Sequence, residues 1–253
     1  MSALPLSAEL EGFPAAAAPP SHEKLSRALR SLEFAYQPIV RWSAQAVIAH
    51  EVLVRTAEPG LEGAPAFFGA ARLLKRHREV GRLIRERLGS ELGAIQGDLF
   101  VNVEPHDLLD AGLYDPRSPL CQCAERVVLE ITERASLSLV PELRHRMFKL
   151  RDLGFRIAAD DLGAGYSGLT SLAVLEPEVV KIDMSLVRNV DREPTPRKVI
   201  WSLAELCAKL GSVVVSEGVE TAHERDALVG LGCDVFQGYL FARPARQPPT
   251  VRW

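Results

Sequence analysis

The chain has 253 residues, 47% of them apolar and 25% charged, with 30 basic and 33 acidic side chains and a net charge of −3. That length suits one large domain, an α/β barrel among the options, or two small ones, and the composition is that of a globular protein with a sizeable core. There is no basic excess to recruit a nucleic-acid polymer, and no stretch reaches the length of a membrane span.

The N-terminus, MSALPLSAELEGFPAAAAPP, has no basic leading region and carries Glu9 and Glu11. It does not read as a signal peptide. Residues 1–22, rich in Ala and Pro, are expected to be a flexible tail, and 23–253 a single folded domain in the cytoplasm. From residue 34 onward, strand-like and helix-like segments alternate. FAYQPIV (34–40) and AVIAHEVLVR (46–55) read as two strands close enough for a hairpin. One long helical stretch is expected over roughly 66–93, with Phe67 and Phe68 in the core and the basic run Lys75–Arg78 on a solvated face. LFVNVE (99–104) and RVVLEIT (126–132) are the next strands. A helix near Pro141 presents Leu143, Met147 and Leu150 on one face and stops at Gly154.

RIAADDL (156–162) and EVVKIDM (178–184) follow as strands, separated by a glycine-rich turn. A helix over 196–210 ends at Gly211. SVVVSEGV (212–219) is the next strand, Thr221 and Glu224 fit a capping box before a short helix, and CDVFQGYLF (233–241) closes the series. Repeated strand–helix units predict a parallel sheet flanked by helices. Eight strands in about 230 residues fit a closed (β/α)8 barrel better than an open sheet.

Seven of these apolar runs end in a polar or charged residue: Glu51, Asn102, Glu130, Asp160 with Asp161, Lys181, Glu217 and Gln237. Active sites of such barrels lie at the C-terminal ends of the strands, and side chains alternate inward and outward. The seven therefore read as one pocket built from strand tips. Adjacent aspartates cannot share a strand face, so Asp160 is expected to point into the mouth and Asp161 to lean over the rim. Two neighbouring carboxylates stay ionised most readily beside a bound cation. The donor set is oxygen-only, which selects Mg²⁺ or Mn²⁺ over zinc, and enough carboxylates converge for two ions. Paired ions suit in-line displacement at phosphorus. Lys181, the one cation of the set, either neutralises the cluster or positions a water and stabilises phosphoryl charge; its company favours the second role.

Other signals carry less. Gly163, Gly165 and Gly168 with Asp183 mimic a dinucleotide fingerprint. They fall mid-chain, behind two aspartates that would face a pyrophosphate, so a mobile loop over the site is the better reading. Cys121, Cys123, Cys207 and Cys233 show no CxxC spacing and read as reduced and structural. The six histidines are unpaired in sequence, against a zinc enzyme.

In order and spacing, YQPIV (36–40), EVL (51–53) with Arg55, NVEP (102–105), LEITE (129–133), DDLGAGYSGL (160–169), KID (181–183), EGVE (217–220) and QGYLFARP (237–244) resemble the EAL-domain phosphodiesterases that hydrolyse cyclic di-GMP. The resemblance covers about residues 30–245. It implies a modified TIM barrel whose first strand is antiparallel to the rest. It also implies metal-dependent hydrolysis of cyclic di-GMP to linear pGpG in bacterial second-messenger signalling. Glu51, Asn102, Glu130, Asp160, Asp161 and Glu217 match metal-binding positions. Glu51, Asp160, Lys181 and Glu217 carry the catalytic roles, Lys181 orienting the water. Gln237 matches a residue of the water and metal network that also meets substrate. Gln37, Leu53, Arg55 and Glu220 match substrate-contacting positions, Arg55 toward a phosphate, and Glu133 steadies the loop carrying Asp160 and Asp161. A homodimer and a sensory or signalling partner are further implications of the resemblance.

Five residues depart from the family pattern: Val52 for Ala, Glu104 for the Ser of NVSP, Leu162 for Phe, Ala164 for Thr and Gly168 for Ser. None removes a ligand, so turnover is favoured over the alternative of a catalytically silent cyclic di-GMP receptor acting through a protein partner.

Overall fold

The computed structural model describes residues 20–132, 137–163 and 168–253. Eight strands close into a barrel in sequence order: β1 (Glu33–Arg41), β2 (Ala46–Arg55), β3 (Asp98–Val103), β4 (Val127–Thr132), β5 (Arg156–Leu162), β6 (Val179–Ile182), β7 (Val213–Ser216) and β8 (Val235–Phe236). β1 runs antiparallel to both β2 and β8, and every other pair is parallel. The reason is local. Residues 42–45 are too few for a crossover, so the chain can only fold back as a hairpin. The longer connections carry α-helices, or short 3-10 helices between β3 and β4, and return each following strand in parallel. The modified-barrel expectation therefore holds.

The helices are α1 (His22–Arg30), α2 (Ala64–Leu73), α3 (His77–Glu91), α4 (Leu143–Asp152), α5 (Gly168–Leu175), α6 (Met184–Val187), α7 (Pro194–Leu210) and α8 (Ala222–Gly230). The single helix expected over 66–93 is two. The break falls at Lys75, which adopts φ +55°, while the Arg76 N–H closes the turn on the Ala71 carbonyl at 2.8 Å. Arg76 then leaves the expected solvated face. It bonds the His22 carbonyl, the Ser26 hydroxyl and Glu79. The last strand is also shorter than its apolar run. After Phe236 the chain bends over the rim, and the Leu240 N–H donates to the Val219 carbonyl instead of to a strand.

Three sequence signals act as expected. Gly211 takes the left-handed conformation that ends α7, and Gly154 does so after α4 at φ +100°. Thr221 and Glu224 form the full capping box of α8. The four cysteines are free, and burial pushes the Cys207 thiol up to about 11. No helix among the described residues is long and apolar enough to cross a membrane.

The barrel interior is plugged by Ile39, Ala49, Phe100, Val128, Ala158, Val179, Val215 and Val235, one side chain from each strand. A larger apolar layer lies between sheet and helices. The inner plug sets the level of everything above it.

Candidate active site

Side chains two positions apart on a strand share a face. One step toward the mouth from each plug residue brings Gln37, Glu51, Asn102, Glu130, Asp160, Lys181, Glu217 and Gln237 onto the inner wall. All seven strand-end positions named from the sequence are there, joined by Gln37 from the antiparallel β1. Glu217 and Gln237 lie one residue past their strands. Ladder-like bonds still fix them, from the Glu217 N–H to the Ile182 carbonyl and from the Gln237 N–H to the Ser216 carbonyl, each at 3.0 Å.

Lys181 is the hub, only 1% exposed. Its ammonium lies 2.5 Å from Glu130, 2.6 Å from Glu217, 3.2 Å from Asp160 and 3.9 Å from Glu51. The amides tie the remaining oxygens together. Gln237 donates to Glu51 at 2.6 Å and to Gln37 at 3.2 Å, and Asn102 donates to Glu130 at 3.0 Å and to Glu51 at 3.2 Å.

The electrostatics follow from this crowding. Burial holds Glu130 well above the usual carboxylate range; Lys181 opposes the rise, and Glu51 and Asp160 add to it. Burial likewise pushes Glu217 up to about 8 against the pull of Lys181. For Lys181 burial alone would lower the pKa, but Asp160, Glu130, Glu217 and Glu51 together hold it well above its ordinary value, so the ammonium stays charged. One cation cannot neutralise this many carboxylates.

The residues fit a divalent cation. Asp160, Asp161 and Glu217 each bring a carboxylate oxygen within 4.8 Å of the others. Glu130 Oε1 and Asp160 Oδ1 are buried and meet Lys181 without an aligned hydrogen bond, while the buried Gln237 Oε1 has no hydrogen-bond partner. Hard oxygen donors with spare lone pairs suit Mg²⁺, Mn²⁺ or Ca²⁺.

Asp161 does more than lean over the rim. It adopts φ +60°, and the β5–β6 register shifts between Ala159 and Leu162. The irregularity breaks strict alternation and lets both aspartates serve one site. The Thr132 hydroxyl donates to Asp161 at 3.4 Å.

Two cavities open from the ring. One, of about 250 Å³, is bordered by Gln37, Glu51, Glu217, Glu220 and Tyr239. There Glu220 pairs with Arg188 at 2.8 Å. The other, of about 360 Å³, runs between the tips of β2 and β3 and the helices α2 and α3, past Leu53, Phe68, Arg72 and Glu104. Phe68 thus borders a cavity rather than the core alone; Phe67 is fully buried. Arg55 stands apart. Its guanidinium donates to the Val54 carbonyl at 2.9 Å and reaches none of the ring. Asp183 caps α6 through the Ser185 N–H, a helix-capping role in place of a ribose contact. Glu133 and residues 164–167 lie outside the described residues. Arg72 was invisible in the sequence, because its partner Glu104 is 32 positions away on another element.

A family model described as EAL domain matches residues 22–244. The cyclic di-GMP phosphodiesterase RocR of Pseudomonas aeruginosa is 32% identical over 89% of this chain and 61% of its own length. The probable cyclic di-GMP phosphodiesterase PdeG of Escherichia coli is 30% identical over 91% of this chain and 48% of its own. The Klebsiella pneumoniae BlrP1 complex with calcium and cyclic di-GMP superposes with a TM-score of 0.76 at 31% identity, covering 87% of this chain and 58% of that one. The chain thus spans about half to three-fifths of these relatives. With the family pattern matched over nearly all of the barrel and its strand-end residues converging on one site, the chain belongs to the EAL domain family.

Proposed function

We propose that this domain hydrolyses one phosphodiester bond of cyclic di-GMP to give linear pGpG, with two Mg²⁺ or Mn²⁺ ions. The observation that carries the reading is the charge balance of the ring. Glu51, Glu130, Asp160, Asp161 and Glu217 around Lys181 leave four net negative charges when all are ionised, the charge of two divalent cations. BlrP1 is described in complex with calcium or manganese together with cyclic di-GMP, and RocR as a cyclic di-GMP phosphodiesterase.

Glu51, Asn102, Glu130, Asp160, Asp161 and Glu217 would hold the ions, which supply Lewis-acid polarisation of the phosphate and a more acidic water. The remaining work belongs to side chains. Glu217 is placed to take the proton of the attacking water: burial pushes its carboxyl up to about 8 in the metal-free protein, and beside bound cations it would stay ionised as a base. Lys181 fixes that carboxylate and offsets charge developing on the phosphoryl oxygens. The water oxygen bonds to phosphorus, the P–O3′ bond breaks, and the proton ends on the 3′ oxygen. Gln37, Leu53, Gln237 and Glu220 line the two cavities and position the dinucleotide; Arg55, which bonds the Val54 carbonyl here, would have to release it to reach a phosphate.

The test is turnover of cyclic di-GMP by the purified protein across Mg²⁺, Mn²⁺ and Ca²⁺, alongside Glu51→Ala. Formation of pGpG by the parent and its loss in the variant support the enzyme. If both proteins bind the dinucleotide and neither cleaves it, the domain is a receptor.

A further inference from the structure

The cavity of about 360 Å³ has an uneven lining. At its inner end lie Asn102, Asp160 and Asp161 of the candidate site. Its walls are apolar, from Leu53, Val54, Pro65, Phe68 and Ile84. Its charged groups away from the ring form two ion pairs: Arg85 Nη1 to Asp107 Oδ1 at 2.5 Å, which is buried, and the more exposed Arg72 Nη1 to Glu104 Oε1 at 2.7 Å, joining α2 to the tip of β3. Glu104 is also one of the positions at which the chain departs from the family pattern.

We infer that the Arg72–Glu104 pair reads one nucleobase of the substrate and makes this subsite selective for guanine; the inference rests on the cyclic di-GMP reading above. A flat ring suits the apolar walls, and a pocket of this size is of the order that takes small ligands. A carboxylate can only accept and a guanidinium can only donate. Guanine presents N1–H and the 2-amino group side by side as donors, with O6 and N7 adjoining them as acceptors. Glu104 therefore matches the donor edge and Arg72 the acceptor edge. Adenine turns a bare N1 lone pair toward the same carboxylate and is rejected by repulsion as well as by a lost bond.

The pair is free to open for a base. The Arg72 side chain is 52% exposed and that of Glu104 25%, and an ion pair with one partner in solvent is held weakly. The second Glu104 oxygen lies 3.2 Å from His106 Nδ1, a contact that does not depend on Arg72. Asn102 lies only two residues from Glu104, so a base held here places its own phosphate beside the ring.

The experiment compares binding of cyclic di-GMP, cyclic di-IMP, which lacks only the 2-amino groups, and cyclic di-AMP by calorimetry with Ca²⁺, the ion of the BlrP1 complex with cyclic di-GMP, in place of Mg²⁺, with chromatography showing that each dinucleotide stays intact. The parent, Glu104→Ser, Glu104→Gln and Arg72→Met are measured after a melting curve shows each is folded. The parent should prefer cyclic di-GMP over cyclic di-IMP by about tenfold or more. That preference should shrink by about tenfold in both Glu104 variants, and Arg72→Met should weaken cyclic di-GMP and cyclic di-IMP alike, since both keep O6 and N7. A parent that binds cyclic di-GMP while the Glu104 variants keep the full preference overturns this inference and leaves the proposed function standing. A parent that binds none of the three overturns both.

Discussion

Asp160 and Asp161 are neighbours in the chain, yet each brings a carboxylate oxygen to within 4.8 Å of the other and of Glu217. On a regular strand they would point to opposite faces. Asp161 escapes this by taking φ +60°, a conformation Asp tolerates better than most residues. The irregularity in β5 is where a structural cost and the candidate chemistry meet.

Lys181→Met should leave Glu130, Glu217 and Asp160 without the ammonium that now lies within 3.2 Å of each. Removing one partner from a buried ionic group costs about 3–5 kcal/mol. In EDTA the variant should melt well below the parent. Saturating Mn²⁺ should return about 2.7 kcal/mol at a hundredfold excess over its Kd. Pairs of melting curves with and without Mn²⁺ test this, and a variant as stable as the parent in EDTA refutes it.

Glu217 sets a pH dependence for the metal-free protein. Its folded pKa is raised, to about 8 from an ordinary 4.5. The group's contribution to stability is therefore complete below about 4.5 and is lost as pH rises through about 8. In EDTA the melting temperature should fall by about 3 °C or more between pH 5 and pH 8.5. With saturating Mn²⁺ the carboxylate is already ionised and that slope should vanish. Glu217→Gln should flatten the EDTA curve; a slope that survives this substitution assigns the effect elsewhere.

Glu224 holds the loop that follows β7. Its carboxylate accepts from the N–H groups of Glu220 and Thr221 at 3.0 Å and of Asn189 at 3.2 Å. Burial alone would raise its pKa, but these backbone donors keep it below the usual range. Glu224→Ala should cost about 1–2 kcal/mol, the upper part of the range for a helix cap. It should also weaken the proposed binding of cyclic di-GMP, because Glu220 borders a cavity of the candidate site. Denaturant titration and calorimetry measure the two effects separately.

Gly238 follows the ring residue Gln237. A Cβ there would lie 2.1 Å from the Val219 carbonyl oxygen and 2.4 Å from the Val219 nitrogen. Gly238→Ala should cost about 1–3 kcal/mol or more and shift Gln237 off Glu51, reducing turnover. Gly230→Ala, with no atom within 4 Å of the new methyl, should stay within about 1 kcal/mol of the parent. Equal stability of the two variants would show that the close approach at Gly238 relaxes freely.

The sequence by itself determined whatever depends on a few neighbouring residues. The hairpin of β1 and β2 follows from a connection too short for a crossover. Gly154 and Gly211 end helices because they take left-handed backbone, and Thr221 with Glu224 caps α8 through groups three positions apart. The polar residue at each strand end was visible for the same reason. Tertiary structure decided what depends on distance along the chain. The closure of the barrel puts Gln37 level with Glu217 and Gln237 through strand register, which no local pattern records. Lys75 splits the long helix because both halves must pack on the barrel. The left-handed turn at Asp161 and the Arg72–Glu104 pair arise where separate elements meet. Local propensity acts over one turn or one strand; a site formed by eight strands is fixed only when the sheet closes on itself.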